Sequence, residues 1–385
     1  MPVVRLITRT GGRVVQSCST SRVIVRASSD AAGAARLSLH LLVCTLTDVT
    51  RRSHTRPPVL ADVARAAGVS VPTVSRVLSG SAPVSADKRR QVLRAIQELG
   101  YRPNAAARAL ATGKRSIISV LTSDTTRYGY ASAIRGIEEA ARAVGLVVAL
   151  TLLDGDDEES ARVAVDLALG QPLAGVIVLE FDIQGSRALA ALPETIPVAA
   201  VSSAGQGRSV PRALFDDHAG ARDATNYLLG LGHRTVHHVG IPASGRPSGR
   251  LLGWREALEA AGAPVPEIVE SDETPRSGLQ AGAYLARRGD VTAVLCGNDE
   301  IAFGVIKAFQ DEGLRVPEDV SVVGFDDHPL AEIWTPSLTT MRQDFAELGR
   351  MAVDFLLGRL AGVPVEAPHS TPRLVMRKSA APPAR

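Results

Sequence analysis

The sequence predicts an α/β protein in which a small helical unit precedes two doubly wound α/β lobes. From residue 116 onward, strand-like apolar runs alternate with helix-like stretches, the pattern of a parallel sheet covered by helices. Ahead of them, two short amphipathic helices are separated by a turn of about three residues, the spacing of a helix-turn-helix. The length of 385 residues is sufficient for two or three domains of ~100–200 residues each.

Positive charge is concentrated in the first 115 residues. Residues 1–56 hold nine Lys/Arg and two Asp/Glu, and residues 57–115 hold ten and three. The rest of the chain holds 24 and 35 and is net acidic, although the whole chain carries +3. A small basic block joined to a larger acidic one suggests that the first contacts a polyanion, either nucleic acid or a membrane surface.

The composition excludes several classes of protein. Hydrophobic residues make up 45% and charged residues 22%, as in soluble globular proteins. No run of about 20 apolar residues is present, so no membrane-spanning helix is predicted. Cys18, Cys44 and Cys296 are too few and too scattered for a disulfide framework or a thiolate zinc site. We therefore expect a reducing, cytoplasmic setting.

Residues 1–56 show no pattern typical of a fold. They are rich in Arg, Ser, Thr and Ala, and they end at Pro57 and Pro58, which disfavour helix. Three interpretations stay open: a disordered basic arm, a targeting segment, or a start codon assigned too far upstream, since the next methionine is Met341.

Three short helices are predicted within residues 57–103. Apolar residues recur at three- and four-residue spacing in them, and Gly68 and Gly100 follow the first and the third, where helices commonly end. Ser70 and Ser85 precede the second and the third and are predicted N-caps.

The second of these helices carries side chains suited to DNA. Thr73, Ser75 and Arg76 lie away from its apolar face, with Val71 and Pro72 at its N-terminal end. Short polar groups and one long donor are what a helix in the major groove needs. The alternative is a small helical bundle with a solvated polar face, but the local positive charge favours DNA binding.

Beyond residue 116, seven apolar runs are predicted as buried parallel strands. They occupy residues 117–121, 146–152, 175–179, 198–201, 236–241, 293–296 and 320–325. Helical stretches lie between them at residues 134–144, 158–169, 219–231, 252–261, 278–288 and 301–312. We expect a ligand cleft where the carboxyl ends of the strands converge.

Two groups of short motifs follow one another along the chain. The first group is LADVA at 60–64, AGVS at 67–70, TVSRVL at 73–78, VS at 84–85, GYRPN at 100–104 and AL at 109–110. The second is LGHR at 231–234, GW at 253–254, GND at 297–299, SVVGFDD at 321–327 and PSLTT at 336–340. In this order and spacing they resemble the LacI/GalR family of bacterial transcriptional repressors, over about residues 59–378.

The resemblance implies a domain organisation. A helix-turn-helix DNA-binding domain spans 57–103, and a hinge helix and linker span 104–115. A two-lobed, periplasmic-binding-protein-like domain for effector binding and dimerisation spans 116–378, followed by a tail over 379–385. A helix as short as the hinge is marginal alone in water, so we expect it to order only when docked, for instance against its twin in a dimer.

The resemblance also implies DNA-contacting residues. Arg76 would donate two hydrogen bonds to a guanine, and Leu110 would wedge open a base step in the minor groove. Packing of Leu110 against the effector domain is the alternative. The expected DNA contacts are Val71, Pro72, Thr73, Ser75, Arg76, Asn104, Ala107, Arg108 and Leu110.

In the large domain, Arg250, Asn298 and Asp326 match effector-contacting positions of the family. Asp182 and Asp124 lie just after predicted strand ends, and Trp334 lies in a loop and would stack on a sugar face. A guanidinium facing a carboxylate and an amide suits a polyhydroxyl ligand. The alternative for the aspartates is a buried structural pair, and Trp254 is predicted to belong to the core. The candidates are Arg250, Asn298, Asp326, Asp182, Asp124 and Trp334.

Other chemistry is not predicted. His233, His237 and His238 have no acidic or thiolate partner at metal-ligand spacing and are expected to be solvated or core imidazoles. No Gly-x-Ser-x-Gly motif occurs, and the glycine spacing at 113–115 does not fit a phosphate-binding loop. We therefore expect no catalysis, cofactor or metal.

These patterns predict a homodimeric transcription regulator that binds a near-palindromic operator and a small sugar-like effector. A repressor released by an inducer is the family's commonest mode, and a corepressor mode stays open. The chain ends soon after Lys378 without a further leucine-heptad helix, so a dimer is expected rather than a tetramer. The competing interpretations are a periplasmic-type sugar-binding protein without DNA binding and an enzyme acting in the cleft.

Overall fold

The computed structural model describes residues 14–18, 21–25, 58–79, 82–101, 115–202, 209–241, 248–363 and 370–384. The chain divides into two units, Met1–Pro103 and Asn104–Arg385. Four candidate DNA contacts of the predicted hinge helix lie outside the described residues: Asn104, Ala107, Arg108 and Leu110.

The first unit opens with two strands that the sequence did not predict. Strands β1 (Val14–Cys18) and β2 (Ser21–Val25) pair in an antiparallel hairpin. Their connection, Ser19 and Thr20, is not one of the Asn-Gly or Asp-Gly pairs that mark such hairpins in a sequence. This explains why the segment shows no recognisable pattern of a fold.

Three helices follow at the predicted places: α1 (Leu60–Ala66), α2 (Val71–Ser79) and α3 (Ala86–Leu99). One small apolar core holds them together. It is formed by Val63, Ala64, Ala67, Val74, Val77, Val92 and Ala95.

The ends of these helices agree with the sequence analysis except at one cap. Gly68 and Gly100 adopt φ values of +63° and +59°, which glycine reaches without a steric cost. At the start of α2, the Ser70 carbonyl oxygen accepts from the Thr73 amide at 2.9 Å. Ser85 precedes α3 as predicted, but its side chain makes no capping hydrogen bond, so that part of the prediction is wrong.

The second unit begins with a lobe built on a five-stranded parallel sheet. Its strands are β3 (Ile117–Thr122), β4 (Val147–Leu152), β5 (Leu173–Glu180), β6 (Val198–Ser202) and β7 (Arg212–Leu214). Their order across the sheet is β4-β3-β5-β6-β7. The helices of this first lobe are α4 (Tyr128–Ala143), α5 (Glu158–Leu169), α6 (Ile183–Ala191) and α12 (Phe345–Ala361), which returns from the second lobe.

Strand β4 is an exposed edge of this sheet, and the prediction that residues 146–152 form a buried strand is wrong in that respect. Val147 is 59% exposed, and Leu150 and Leu152 are each 49% exposed. Among the described residues only β3 pairs with β4, and no strand described there covers its second edge. An apolar run predicts a strand but does not distinguish a central strand from an edge strand.

The second lobe contains a six-stranded sheet. Its strands are β8 (His237–Gly240), β9 (Val269–Glu270), β10 (Ala293–Cys296), β11 (Ser321–Asp326), β12 (Thr339–Arg342) and β13 (Arg373–Val375). The order is β13-β12-β11-β10-β8-β9, with β13 alone antiparallel to its neighbour. The helices are α7 (Asp217–Gly230), α8 (Gly249–Ala260), α9 (Pro275–Ala286), α10 (Asp299–Asp311) and α11 (Leu330–Ile333).

The topology of both sheets positions a site. In each lobe the second strand in chain order lies outside the first, so the direction of winding reverses between β3 and β5 and again between β8 and β10. Ligands of doubly wound folds bind at such switch points, beyond the carboxyl ends of the strands. The chain crosses between the lobes after β7, after β12 and again between α12 and β13.

Candidate functional site

Helix α2 presents the candidate recognition residues to the surface of the first unit. Val74 and Val77 are buried in its core and fix the orientation of the helix. Thr73 is half-buried. The exposed residues are Val71, Pro72, Ser75 and Arg76. The polar face expected from the sequence is therefore available to an external partner.

Basic side chains surround this face. Helix α3 begins with an exposed run of three basic residues, Lys88, Arg89 and Arg90, and carries Arg94 one turn further on. Exposed cations of this kind bind phosphates without specifying a sequence. The first unit thus exposes one long donor on α2 and four basic residues on α3.

Arg250 is buried at the start of α8, at the centre of a polar network in the second lobe. Its Nε donates to Asp217 Oδ2 at 3.1 Å, its Nη2 to Gln343 Oε1 at 2.8 Å, and its Nη1 to the Gly297 carbonyl oxygen. Gln343 Nε2 donates to Asp217 Oδ1 at 2.6 Å, which closes a ring of three side chains. Burial by itself would lower the pKa of Arg250, but the Asp217 and Asp326 carboxylates raise it, so the charge is retained.

This ring lies where the chain crosses between the lobes. Asp217 is the first residue of α7, directly after the first crossing, and Gln343 lies between β12 and α12, at the second. Arg250 thus contacts residues at two of the three connections between the lobes.

Asp326 ends β11 beside this network. Its Oδ1 lies 3.3 Å from Arg250 Nη2 but accepts no hydrogen bond from the described residues. Burial raises the pKa of Asp326 well above its ordinary value, although Arg250 opposes the shift. Its backbone has φ +111° and that of Asp327 φ +59°, conformations that are costly for non-glycine residues and concentrate at functional sites. An unsatisfied acceptor in this position suits a ligand hydroxyl.

Asp124 follows β3 in the first lobe and organises the turn into α4. Its Oδ1 accepts from the Thr126 amide at 2.5 Å and from the Arg127 amide at 2.9 Å. Burial would raise the pKa of Asp124, but these amide hydrogen bonds lower it below its ordinary value. Asp124 is therefore an ionised carboxylate at the switch point between β3 and β5.

Asp182 follows β5 at the same switch point and caps α6. Its Oδ1 accepts from the Gly185 amide at 2.8 Å, and its Oδ2 accepts from the hydroxyls of Ser123 and Tyr130. Burial, together with the neighbouring Asp182, raises the pKa of Tyr130, so this phenol stays protonated and donates. Asp182 thus caps a helix and binds two hydroxyls, and its role toward an effector stays a prediction.

The remaining two candidates also have protein partners. Asn298 caps α10, since its Oδ1 accepts from the Ile301 amide at 2.7 Å, and its Nδ2 donates to the Glu273 carbonyl oxygen at 3.2 Å. Trp334 stacks on Phe303, with ring centroids 4.4 Å apart. One face of the indole is therefore occupied.

Sequence reasoning missed Asp217, Gln343 and Asp299. Asp299 is buried and accepts from the Thr340 hydroxyl at 2.5 Å and from the His328 amide at 2.6 Å. Burial raises the pKa of Asp299 to about 7. Asp299 is part of the quoted GND motif, a signal that could have identified it, whereas Asp217 and Gln343 lie at lobe crossings that the sequence does not reveal.

The histidines and Trp254 belong to the core. His233, His237 and His238 are buried, and burial lowers the pKa of His238 to about 4. Trp254 is fully buried and donates from Nε1 to the Val236 carbonyl oxygen at 2.8 Å. In the part of the chain that the structure describes, no group of three or more His, Cys, Asp and Glu residues could hold a metal ion.

Two family models match the chain. Residues 59–104 match the model described as bacterial regulatory proteins, lacI family, and residues 225–380 match the periplasmic binding protein-like domain. The first match contains the three helices of the first unit, and the second contains most of the second lobe.

Full-length relatives and solved structures agree with these matches. Catabolite control protein A of Priestia megaterium is 33% identical over 300 residues, covering 77% of this chain and 90% of that protein. The lactose operon repressor of Escherichia coli is 34% identical over 329 residues, covering 84% and 91%. A crystal structure of the lac repressor dimer bound to operator and the anti-inducer ONPF has a TM-score of 0.78 and 32% identity, covering 85% of this chain and all of that one.

Fold and site together define a helix-turn-helix transcription regulator with a two-lobed ligand-binding domain of the periplasmic type. The chain belongs to the lacI family of bacterial regulatory proteins. Further relatives of 31–34% identity are named as HTH-type transcriptional regulators or repressors. None of the helices described is long and apolar enough to cross a membrane.

Proposed function

We propose that the protein is a homodimeric repressor whose affinity for a near-palindromic operator is controlled by a sugar or sugar derivative bound between the two lobes. One observation carries this proposal. The chain that exposes Arg76 on a recognition helix also places the buried Arg250–Asp326 pair, with Asp326 Oδ1 unsatisfied among the described residues, at a switch point.

The similar solved structures support both halves of the proposal. One is the lac repressor dimer bound to operator, already described. Another is a transcriptional regulator CelR–cellobiose complex, with 31% identity and a TM-score of 0.61, which covers 84% of this chain and 99% of that one. By analogy, each recognition helix would read one half-site, and the expected Leu110 wedges would meet at the centre of the operator.

The effector would be held from both sheet edges. Arg250 and Asp326 of the second lobe would bind adjacent hydroxyls, since a guanidinium only donates and a carboxylate accepts. Three further side chains already make hydrogen bonds within the protein and would bind the effector through their remaining donor or acceptor positions. They are Asn298 of the second lobe and Asp124 and Asp182 of the first. Trp334 would offer the edge or the uncovered face of its ring.

The proposed dimer requires a face that a second copy covers. Edge strand β4 and the neighbouring helix α5 leave five aliphatic side chains exposed to solvent. An exposed apolar patch of this kind marks a protein–protein interface. A second copy of the chain is the partner that fits, because the similar lac repressor structures are dimers. The five residues are Val147, Leu150, Leu152, Val163 and Leu167.

A thermal-shift screen of the full chain against sugars, sugar phosphates and purines tests effector control. A ligand at 100 times its dissociation constant stabilises the fold by about 2.7 kcal/mol, a readily visible shift. A compound that stabilises the protein is then added to an operator titration. A decrease in operator affinity identifies an inducer and an increase a corepressor.

Two variants make the screen specific. Asp326→Asn removes the negative charge of a proposed ligand acceptor and should weaken the thermal shift, whereas Asp319→Asn alters a half-buried carboxylate that pairs with Arg315 in the same lobe and should preserve it. A ligand that stabilises both variants equally, or that leaves operator affinity unchanged, contradicts effector control through this cleft.

A further inference from the structure

We propose that an ion pair between Arg127 and Glu273 latches the two lobes together across the cleft in the ligand-free protein. The inference rests on the proposed function only in treating this cleft as the effector site. The latch itself is a property of the free chain.

The geometry spans the lobes. Arg127 is the N-cap residue of α4 in the first lobe, and its Nη1 donates to Glu273 Oε2 in the loop after β9 of the second. The two side chains are only 35% and 20% exposed. Arg127 Nε also lies 3.5 Å from Asp124 Oδ2, so one guanidinium joins a carboxylate of each lobe.

Glu273 is held in place for this contact by its own loop. Its backbone adopts φ +68°, a left-handed conformation that is costly for a residue with a side chain. The Asp272 carboxylate accepts from the Thr274 amide at 3.0 Å, and Asn298 Nδ2 donates to the Glu273 carbonyl oxygen, so bonds on both sides stabilise the turn. Strain that is held in this way commonly serves a function.

The charges around the pair explain how it would stabilise the contact between the lobes. Asp124 and Asp182 lie at the edge of the first lobe, while Glu273 and Glu300 lie at the facing edge of the second. Burial raises the pKa of Glu273 and of Glu300, and the positive charge of Arg127 opposes both shifts. Without Arg127, the carboxylates of the two edges would repel one another across a poorly solvated gap.

The next residue along α4 makes a second contact between the lobes. The Tyr128 ring meets the His328 ring edge to face, with centroids 4.9 Å apart. The backbone amides of this part of the second lobe, at His328, Ala331 and Trp334, hydrogen-bond within that lobe. The His328 ring is half-buried and packs against Tyr128 of the first lobe, so its exposure to solvent reports on separation of the lobes and not merely on loss of one salt bridge.

A latch of this kind regulates entry to the cleft. An effector binds only the fraction of molecules in which the pair has opened, so its apparent affinity is lowered by that fraction. Arg127 and Glu273 would thus set the threshold concentration of effector without being required for its recognition.

Hydrogen exchange of the full chain, free of DNA and ligand, tests the latch at the imidazole C2 carbon of His328. Arg127→Gln should speed this exchange by about tenfold, because opening becomes more frequent. Arg135→Gln is the matched control, since Arg135 lies on the same helix and pairs with Glu139 but is 72% exposed. That variant should exchange like the wild type, and the backbone amides of β5 (Leu173–Glu180) should stay equally protected in all variants, which shows that the lobe is folded.

Two further variants test whether Arg127 and Glu273 act through one shared contact. Glu273→Gln should also speed exchange at the His328 ring, and the double variant should exchange no faster than the faster single variant, because both break one contact. Wild-type exchange in Arg127→Gln, or multiplying effects in the double variant, would overturn the latch. Neither result depends on an operator or an effector. The latch and the proposed function are therefore tested independently of each other.

Discussion

Arg250 shows how a single side chain connects the cleft with the lobe crossings. Its guanidinium contacts Asp217, Gln343 and Asp326, and it lies over the Phe325 ring with its central carbon 4.1 Å from the ring centroid. A planar, permanently charged group satisfies all of these partners at once. Lysine, with one point charge, would not.

Arg250→Ala is expected to destabilise the second unit. Removing one partner of a buried ion pair leaves carboxylates without compensation and costs about 3–5 kcal/mol. Urea denaturation measures the loss. Arg315→Ala is the control, because Arg315 pairs with Asp319 in the same lobe but at the surface, and its loss should be far smaller. Similar unfolding free energies for the two variants would argue against the buried network.

Asp299 should make stability depend on pH. The pKa of this carboxyl is about 7 in the fold against an ordinary value of 3.8, so the folded protein binds the proton more tightly than the unfolded chain does. Its stabilising contribution is complete below pH 3.8 and is lost as the pH rises toward about 7.

Comparison with Asp299→Asn isolates that effect. The variant does not titrate, and its Oδ1 can still accept from the His328 amide while its Nδ2 donates to the Thr340 hydroxyl oxygen. Between about pH 5 and about pH 7, the wild type should lose up to about 1.4 kcal/mol per pH unit relative to the variant. Unfolding free energies of the two proteins that run parallel across this range would show that Asp299 is ionised in the fold.

At the scale of elements, helix α2 carries the prediction for DNA. Arg76→Ala removes the proposed guanine contact, which is expected to cost about 1–3 kcal/mol of binding free energy and to relax specificity at one base position. Titrations of operator DNA and of unrelated DNA at one salt concentration measure it. Arg90→Ala, an exposed residue of α3, should weaken binding to both DNAs alike. The same uniform loss in Arg76→Ala would assign Arg76 to a phosphate.

The strands and helices of the second unit show which elements the apolar pattern of the sequence can predict. All seven predicted strand runs are strands, and all six predicted helical stretches are helices. Strands β7, β9 and β13 were not predicted because each has three residues or fewer, and β12 was not predicted because its sequence, TTMR, contains no apolar run. The burial of β4 was predicted wrongly because the number of neighbours of a strand is set by topology, not by its own residues.

The candidate site was predictable only in part. The resemblance located Arg250, Asn298 and Asp326, which lie at or near the expected edge of the second sheet. It did not reveal their protein partners, since Asp217 and Gln343 reach Arg250 from positions 33 and 93 residues away in sequence. Contacts of such range depend on how the crossings fold and leave no local pattern.

At the scale of the whole molecule, dimerisation depends on the apolar face of β4 and α5. Leu150→Asp places a charge in the middle of that face, and burying it in an interface would be unfavourable. Sedimentation equilibrium should show monomers for this variant and dimers for the wild type. Val265→Asp, at an exposed aliphatic residue of the second lobe, should stay dimeric. A dimeric Leu150→Asp protein would place the interface elsewhere.

The affinity of the full chain for DNA tests the central claim most directly. Duplexes are selected from a random pool, and the best one is titrated beside a scrambled duplex of the same composition at one fixed salt concentration. A sequence-specific regulator should select a near-palindromic site and bind it about a thousandfold or more tightly than the scrambled duplex. Equal affinities for the two duplexes would contradict the account.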